Sequence, residues 1–364
     1  MTRRVLVARL DSVGDVLLCG PAIRAVAASA EVHLLAGPAG APAGRLLPGV
    51  RSVHVWDCPW ITNPPRPAAD TAAATAELMA LLDAVRPSEA VILTSYHQSP
   101  LPLALLLRQH GVERIAGASV DYPGSLLDVR LRPGEDFPES QSEATRALAI
   151  AAAAGFALPP GDTGRLAVRA AAPVPGLVGD SPYVVVHPGA TAPARTMPVA
   201  QLVAVVAALV EAGIRVVVTG SASESGSTAR VAGRSALDLG GATDLPSLAA
   251  VLAGADAVVV GNTGAAHLAA AVGTPVVSLF SPVVDERCWR PFGVPTILLG
   301  RTDTACAASR ARECPTPGHP CLSDIEPREV VDAVLAVGRF RGDRVRASTP
   351  ADLDAGHRPE EAVA

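Results

Sequence analysis

The chain has 364 residues, 49% of them apolar and 18% charged, a balance that fits folded domains and excludes wholesale disorder. Its net charge is −5, and its 30 basic residues are all arginine, scattered without a basic stripe, which argues against a nucleic-acid binder that works by counterion release. Aromatics are only 3%, so the cores must be built from alanine, valine and leucine, and the length suits two domains plus a tail.

Short apolar runs alternate with helical patterns from the start of the chain. Val5–Leu10 reads as a buried strand, and Asp11–Asp15 as a loop leading into a helix that runs to about Ala28. Strands are predicted at Val32–Ala36, Ser52–Trp56 and Ala90–Thr94, with a helix at Thr71–Val85. A helix from Leu101, a short strand at Arg114–Ala116 and a helix from Glu139 to Ala154 follow. Pro159, Pro160, Pro173, Pro175 and Gly176 then break both periodicities, which sets a domain boundary near residue 175.

The second half, 176–340, repeats the scheme. Strands are predicted at Tyr183–His187, Arg215–Thr219, Ala236–Leu239, Ala257–Val260, Pro275–Phe280 and Thr296–Leu299. Helices are predicted at Val199–Ala212, Ser227–Arg234, Leu245–Leu252, Ala265–Val272 and Pro327–Val337. Continuous apolar strands between helices are the pattern of parallel sheets covered on both faces. Residues 341–364 are polar and unpatterned and are expected to be a disordered tail.

The N-terminal apolar run is broken by Arg9 and Asp11, too early for a signal peptide, and the longest apolar stretch, Ala147–Leu158, is short of a membrane span. A cytoplasmic location is therefore expected, without a transmembrane segment and with a peripheral position at the inner face of the membrane left open. In that compartment the six cysteines stay reduced. Cys19, Cys58 and Cys288 read as small core fillers. Cys306, Cys314 and Cys321, with His319 nearby, are spaced by seven and six residues, unlike the short pairs of structural zinc sites, and no metal is assigned to them.

Paired doubly wound domains bind ligands at the carboxyl ends of their strands. Three loops at such ends carry reactive side chains. In Arg9-Leu10-Asp11-Ser12-Val13-Gly14-Asp15, Gly14 permits a tight turn and Asp15 falls in the first turn of the next helix. There the helix dipole keeps a carboxylate ionised; the residue reads either as a helix cap or as a reactive base. The loop His187–Arg195 offers the Thr191 hydroxyl and the Arg195 fork to phosphate oxygens. In Gly261-Asn262-Thr263-Gly264-Ala265-Ala266-His267, a strand enters a helix of small residues whose first amides and dipole suit a diphosphate, with Thr263 as a further donor. His267 reads either as part of that site or as a partly buried helix residue with its own partners.

Together the Gly14-Asp15 turn, the His187-Pro188-Gly189-Ala190 loop, the Thr263–Ala271 run and Val276–Pro282 with Trp289-Arg290-Pro291 resemble glycosyltransferase family 9, the ADP-heptose lipopolysaccharide heptosyltransferases and their relatives. The resemblance extends to about residue 338. It implies an α/β fold of GT-B type, two Rossmann-like domains facing across a cleft, with the acceptor on the first and the nucleotide sugar on the second. It implies an inverting transfer without metal or other cofactor, from an ADP-linked donor to a hydroxyl of a glycan or metabolite. Asp15 matches the family's catalytic aspartate, Arg9 its basic residue on the first strand, and Arg195 a phosphate-contacting lysine. Ala190 and Thr191 match a pair of hydroxyl residues at the phosphates, of which only Thr191 keeps its hydroxyl. Glu224 is matched to the acidic residue that contacts the ribose. Asn262-Thr263-Gly264, with Ala265 and His267 following, match an Asp-Thr-Gly donor motif, and Asn for Asp makes a charged contact to the donor sugar neutral. Two rival readings share this architecture: a nucleotide-sugar epimerase or hydrolase, and a non-catalytic nucleotide-sugar-binding protein. Were Asp15 not the base, Asp11 and His97 are the alternatives.

Overall fold

The computed structural model describes residues 3–61, 67–95, 98–170 and 172–339. Its first half runs β1 (Arg4–Arg9), α1 (Val13–Leu18), α2 (Gly20–Ala27), β2 (Glu31–Ala36), α3 (Ala41–Leu46) and β3 (Val50–Val55). Next come α4 (Ala68–Val85), β4 (Glu89–Ile92), α5 (Leu101–His110), β5 (Arg114–Ala118), β6 (Val129–Leu131) and α6 (Glu143–Ala153). The second half runs α7 (Pro175–Val178), β7 (Val184–His187), α8 (Val199–Glu211), β8 (Val216–Gly220), α9 (Ser225–Ala232), β9 (Leu237–Gly240) and α10 (Leu245–Ala253). It closes with β10 (Ala257–Gly261), α11 (Gly264–Ala271), β11 (Val276–Leu279), α12 (Glu286–Trp289), β12 (Thr296–Leu299), α13 (Pro320–Ser323) and α14 (Pro327–Val337).

Each half folds around a six-stranded parallel sheet, ordered β3-β2-β1-β4-β5-β6 in the first and β9-β8-β7-β10-β11-β12 in the second. The continuous apolar strands explain the two-sided cover. In β1, Val5 and Val7 enter the core facing the other half, while Leu6 and Ala8 enter the core beneath α4 and α5. In β7, Val185 faces inward to the shared core, and Val184 and Val186 pack under α8 and α14. The shared core is continuous from α1 and α2 of the first half to α10 and α11 of the second. In each sheet the order reverses beside its first strand, so the loops after β1 and β4, and after β7 and β10, diverge and leave a crevice at the carboxyl edge.

Some local expectations change. The helix expected to run to Ala28 breaks at Cys19, because Pro21 has no amide to continue the ladder. The helix expected from Glu139 begins at Glu143, where the Ser142 hydroxyl accepts from the Ala144 amide. The short β6 and α3, the latter containing Pro42 and Gly44, are additions. The segment Pro193–Glu211 is long and apolar enough to cross a membrane. Its helix α8 nevertheless buries Leu202, Val205, Val206 and Leu209 in the second-half core. The expected tail lies outside the described residues.

Candidate active site

The loop after β1 is built around a buried cation. Arg9 ends β1 with its side chain 1% exposed, and its Nε lies 2.8 Å from Asp11 Oδ2. One terminal nitrogen donates to Asp15 Oδ1 at 3.0 Å and to the Ser95 hydroxyl at 2.7 Å. The other reaches Glu143 Oε2 at 3.5 Å. Burial opposes the charge on Arg9, but its three carboxylates outweigh burial and raise its pKa above the ordinary arginine value. Glu143 is fully buried and also faces Arg146 at 3.3 Å; burial pushes its pKa up despite the two guanidinium groups.

Asp15 is both a helix cap and an ion-pair partner. It stands third in α1, where its Oδ2 accepts from the amide and the hydroxyl of Ser12 at 3.1 and 2.6 Å. Burial raises its pKa, yet Arg9 and the Ser12 hydrogen bonds overcome this and hold it below the ordinary aspartate range. A carboxylate offers about four acceptor positions, and three are filled by Arg9 and Ser12. Its side chain is 16% exposed, so the remaining position is within reach of a ligand.

The second half meets this loop through glycine. A Cβ on Gly14 would lie 2.8 Å from His267 Cδ2 and 3.2 Å from Gly264 Cα, so α1 and α11 approach at a distance that only the bare backbone allows. Thr263 caps α11 in extended conformation without a side-chain capping bond, leaving its hydroxyl uncommitted to the helix. The first amides of α11, those of Gly264 and Ala265 among them, have no carbonyl one turn earlier in the helix to receive them. His267 is buried on α11, with no hydrogen-bond partner at Nδ1. Burial, with Arg195 adding and Asp15 opposing, lowers its pKa to about 4, so the ring is neutral near pH 7.

Arg195 closes the short 3-10 turn Pro193–Arg195 after β7, and its Nε has no hydrogen-bond partner. Burial lowers its pKa, opposed by the charge of Asp15 on the other half. Asn262 is buried, its Nδ2 3.5 Å from the Ser281 carbonyl and its Oδ1 without a hydrogen-bond partner. Thr191 is exposed, and its carbonyl accepts from Arg312 at 3.2 Å. Glu224 accepts from the Ser221 amide and hydroxyl, both at 2.7 Å, and its carboxylate rests against Gly189 of the β7 loop, where a Cβ would collide with it.

The structure therefore draws Arg9, Asp15, Arg195, Thr263, Gly264 and His267 to the meeting of the two strand-end crevices. Glu224 joins the β7 loop, and Thr191 lies on that loop's exposed side. The sequence reading misses Glu143, Arg146 and Ser95. A signal for the first two exists: on α6 they share the buried stripe of Ala147, Ile150 and Ala151, where two charges at core spacing call for partners. Asp11 is engaged by Arg9 and by Gln98 Nε2 at 2.6 Å, and His97 lies outside the described residues. Cys306, Cys314 and Cys321 are free thiols. Their sulfurs face Thr304 Oγ1 at 3.3 Å, the Thr316 carbonyl at 3.3 Å and Ser281 Oγ at 4.0 Å respectively. Among the described residues no three His, Cys, Asp or Glu side chains are grouped to hold a metal ion.

Comparison with known proteins gives this geometry a context. The family model described as glycosyltransferase family 9 (heptosyltransferase) matches residues 108–319, more than half of the chain. No curated protein matches by sequence. The structure of E. coli ADP-heptose lipopolysaccharide heptosyltransferase II superposes with a TM-score of 0.71 at 20% identity, covering 92% of this chain and 98% of that one. A family 9 glycosyl transferase from Veillonella parvula gives a TM-score of 0.72 at 16% identity, with 92% and 97% covered. E. coli heptosyltransferase WaaC with ADP gives 0.66 at 18% identity, with 92% and 99% covered. At these identities the likeness shows a shared GT-B fold.

Proposed function

Since the chain belongs to glycosyltransferase family 9, we propose that it catalyses an inverting, metal-independent transfer of a sugar, most simply a heptose from ADP-heptose, to a hydroxyl of a glycan or metabolite. The observation that carries this reading is the placement of the ionised Asp15 of the first half against the N-terminal end of α11 of the second, across the contact of Gly14 with Gly264. One half supplies a proton acceptor and the other a cradle for an anionic leaving group.

In the reaction the acceptor oxygen forms a bond to the anomeric carbon as the bond from that carbon to the diphosphate breaks, attack coming from the opposite face. The hydroxyl proton passes to the free position on Asp15. With its pKa held low, Asp15 is a weak base in the ground state and takes the proton only as the attacking hydroxyl becomes acidic in the transition state. Arg9 and Ser12 fix the carboxylate, and Glu143 and Asp11 hold Arg9 in turn. Charge developing on the diphosphate falls to Arg195, Thr263, Thr191 and the amides of Gly264 and Ala265. Neutral His267 can donate or accept a hydrogen bond there without adding charge. Glu224 is assigned to the ribose and Asn262 to the donor sugar. A reducing, cytoplasmic setting is in keeping with six free cysteines.

The test is ligand binding followed by turnover. ADP at about 100 times its dissociation constant should stabilise the chain by about 2.7 kcal/mol. Transfer measured as ADP release should survive EDTA. A melt unmoved by millimolar ADP, GDP and UDP would remove the nucleotide site, and turnover lost to chelation and restored by Mg²⁺ or Mn²⁺ would remove the metal-free scheme.

A further inference from the structure

The first half carries a second group of reactive side chains, away from Asp15. β3 is the edge strand of its sheet and pairs with β2, so that His33 stands opposite Ser52 and Leu35 opposite His54. Side chains two apart on a strand share a face, which puts His33, Ser52 and His54 on the face where Leu35 and Trp56 enter the core beneath α4 and α5. Their polar atoms converge. His33 Nδ1 and His54 Nε2 each lie 2.8 Å from Ser52 Oγ and 3.4 Å from one another. The rings are tilted by 31°, with centroids 5.6 Å apart.

Ser52 can donate to one imidazole and accept from the other, which accounts for the two short contacts. The triangle they form is nevertheless narrower than the spread of a hydroxyl's donor and acceptor directions, so Ser52 alone does not call for nitrogens this close. Two nitrogens on one tetrahedral metal ion, each bound at about 2.0–2.1 Å, stand about 3.3–3.4 Å apart. That is the separation found here. Burial lowers the pKa of both rings, His54 adding to the effect on His33, so near pH 7 each ring is neutral and keeps one nitrogen free of a proton.

We propose that His33 Nδ1 and His54 Nε2 together bind a late first-row divalent cation of the Zn²⁺ or Cu²⁺ class, which clips the edge strand β3 to β2. Imidazole suits these ions, and water completes the coordination of the half-exposed pair. Binding fixes the tautomer in which His33 carries its proton on Nε2. That atom is buried without a hydrogen-bond partner among the described residues, and a partner on the far ring nitrogen is worth about 10–100-fold in metal affinity. Arg4 and Arg51, paired with Glu31 at 3.8 and 3.7 Å, add some repulsion. The site is therefore weaker than a closed four-ligand centre. In the pairing of β1 with β2, Leu6 stands opposite His33 and Arg9 opposite Ala36, so the cation lies three residues, about 10 Å, short of the reactive loop and takes no part in transfer. Its effect is to steady an open sheet edge.

The full chain, free of any affinity tag and stripped with EDTA, is titrated with ZnCl₂ by calorimetry and by melting. Saturable binding is expected, with a melting temperature that rises with free Zn²⁺, and Mg²⁺, which takes oxygen ligands, should produce neither. His33→Gln and His54→Gln should each weaken Zn²⁺ by about tenfold or more, whereas Ser52→Cys, which sets a thiolate of similar size beside both nitrogens, should tighten it by about tenfold or more. Equal Zn²⁺ affinity in the parent, His33→Gln and His54→Gln would place the ion elsewhere, with Cys306, Cys314 and Cys321 as the first alternative, and would overturn the site. No saturable response in the parent, or unchanged affinity in Ser52→Cys, would overturn it as well.

Discussion

The two halves share one topology and one location for their reactive loops, yet they treat polar atoms in opposite ways. After β1, Arg9, Asp11, Asp15 and Glu143 pair as ions inside the chain, and the atoms there that lack hydrogen-bond geometry, Arg9 Nε and Glu143 Oε1, still face an opposite charge at 2.8 and 3.3 Å. After β7 and β10, Arg195 Nε, Asn262 Oδ1 and His267 Nδ1 are buried without hydrogen-bond partners. Each such atom costs about 1–3 kcal/mol, an expense a fold tolerates where a ligand later makes the bonds. The first crevice is organised to hold one carboxylate still; the second is organised to receive polar groups from outside. The same sheet order thus carries a paired ion network in one half and unpartnered polar atoms in the other, the division that the proposed catalysis and donor binding would require.

Asp15→Asn should break that division most severely. Turnover is expected to fall about 10²–10⁴-fold while donor affinity changes little. The substitution keeps an acceptor for Ser12 but sets an amide against Arg9, so stability should also fall by about 1.5–3 kcal/mol, the worth of a hydrogen bond to a charged group. Rates are therefore compared on folded protein. Near-normal turnover would reduce Asp15 to a cap and ion-pair partner. Arg195→Ala comes next, with a loss of about 10²-fold or more. Unlike Asp15→Asn it should weaken ADP as well, because it belongs to the binding half. Intact ADP affinity in that variant would contradict the contrast between the halves.

The division was only partly legible in the sequence. Strand and helix order could be read because both sheets are parallel and buried, so each strand is a continuous apolar run such as Val184–Val186 or Val258–Val260. Asp15, Thr263 and Gly264 were legible because they stand at strand-to-helix turns, where residue type and chain position alone point to an anion or a base. Arg9 was found by resemblance, but its network was not, since Ser95 and Glu143 come from 86 and 134 residues away and no local pattern links them. The close contact of Gly14 with Gly264 likewise depends on how two sheets far apart in sequence meet.

His267 gives a pH test of the binding half. Its folded pKa of about 4 lies below the ordinary 6.5, so between these values the unfolded chain binds a proton that the folded chain refuses. Stability should therefore fall as pH drops from 6.5 towards 4, by at most about 3 kcal/mol from this group. Asp15, whose folded pKa is also depressed, adds a loss in the same direction below its unfolded value of 3.8, under the His267 window. Urea unfolding of His267→Gln across pH 4–6.5 should show a flatter slope than the parent chain. An unchanged slope would mean that burial does not hold the imidazole neutral.

Gly14→Ala asks whether the two halves meet in solution as they do here. Gly14 lies within α1, where alanine is favoured over glycine by about 1 kcal/mol, so a first half standing alone should gain stability. In the closed arrangement the new methyl would meet the His267 ring at 2.8 Å and the Gly264 backbone at 3.2 Å. Overpacking of this kind costs about 1–3 kcal/mol and outweighs the helix gain. The ring edge can yield by rotation, but the Gly264 backbone carries α11 with it, so relief requires the halves to part by a few tenths of an ångström. Asp15 then moves away from the end of α11, and since a misplacement of 1 Å can cost about 10²-fold, a loss of about tenfold in turnover is expected here. Adding His267→Ala to Gly14→Ala removes the nearer obstacle and should restore part of the stability. A single Gly14→Ala variant that melts higher and turns over normally would show that α1 and α11 do not pack together during the reaction, and Asp15 would then need another route to the anion cradle.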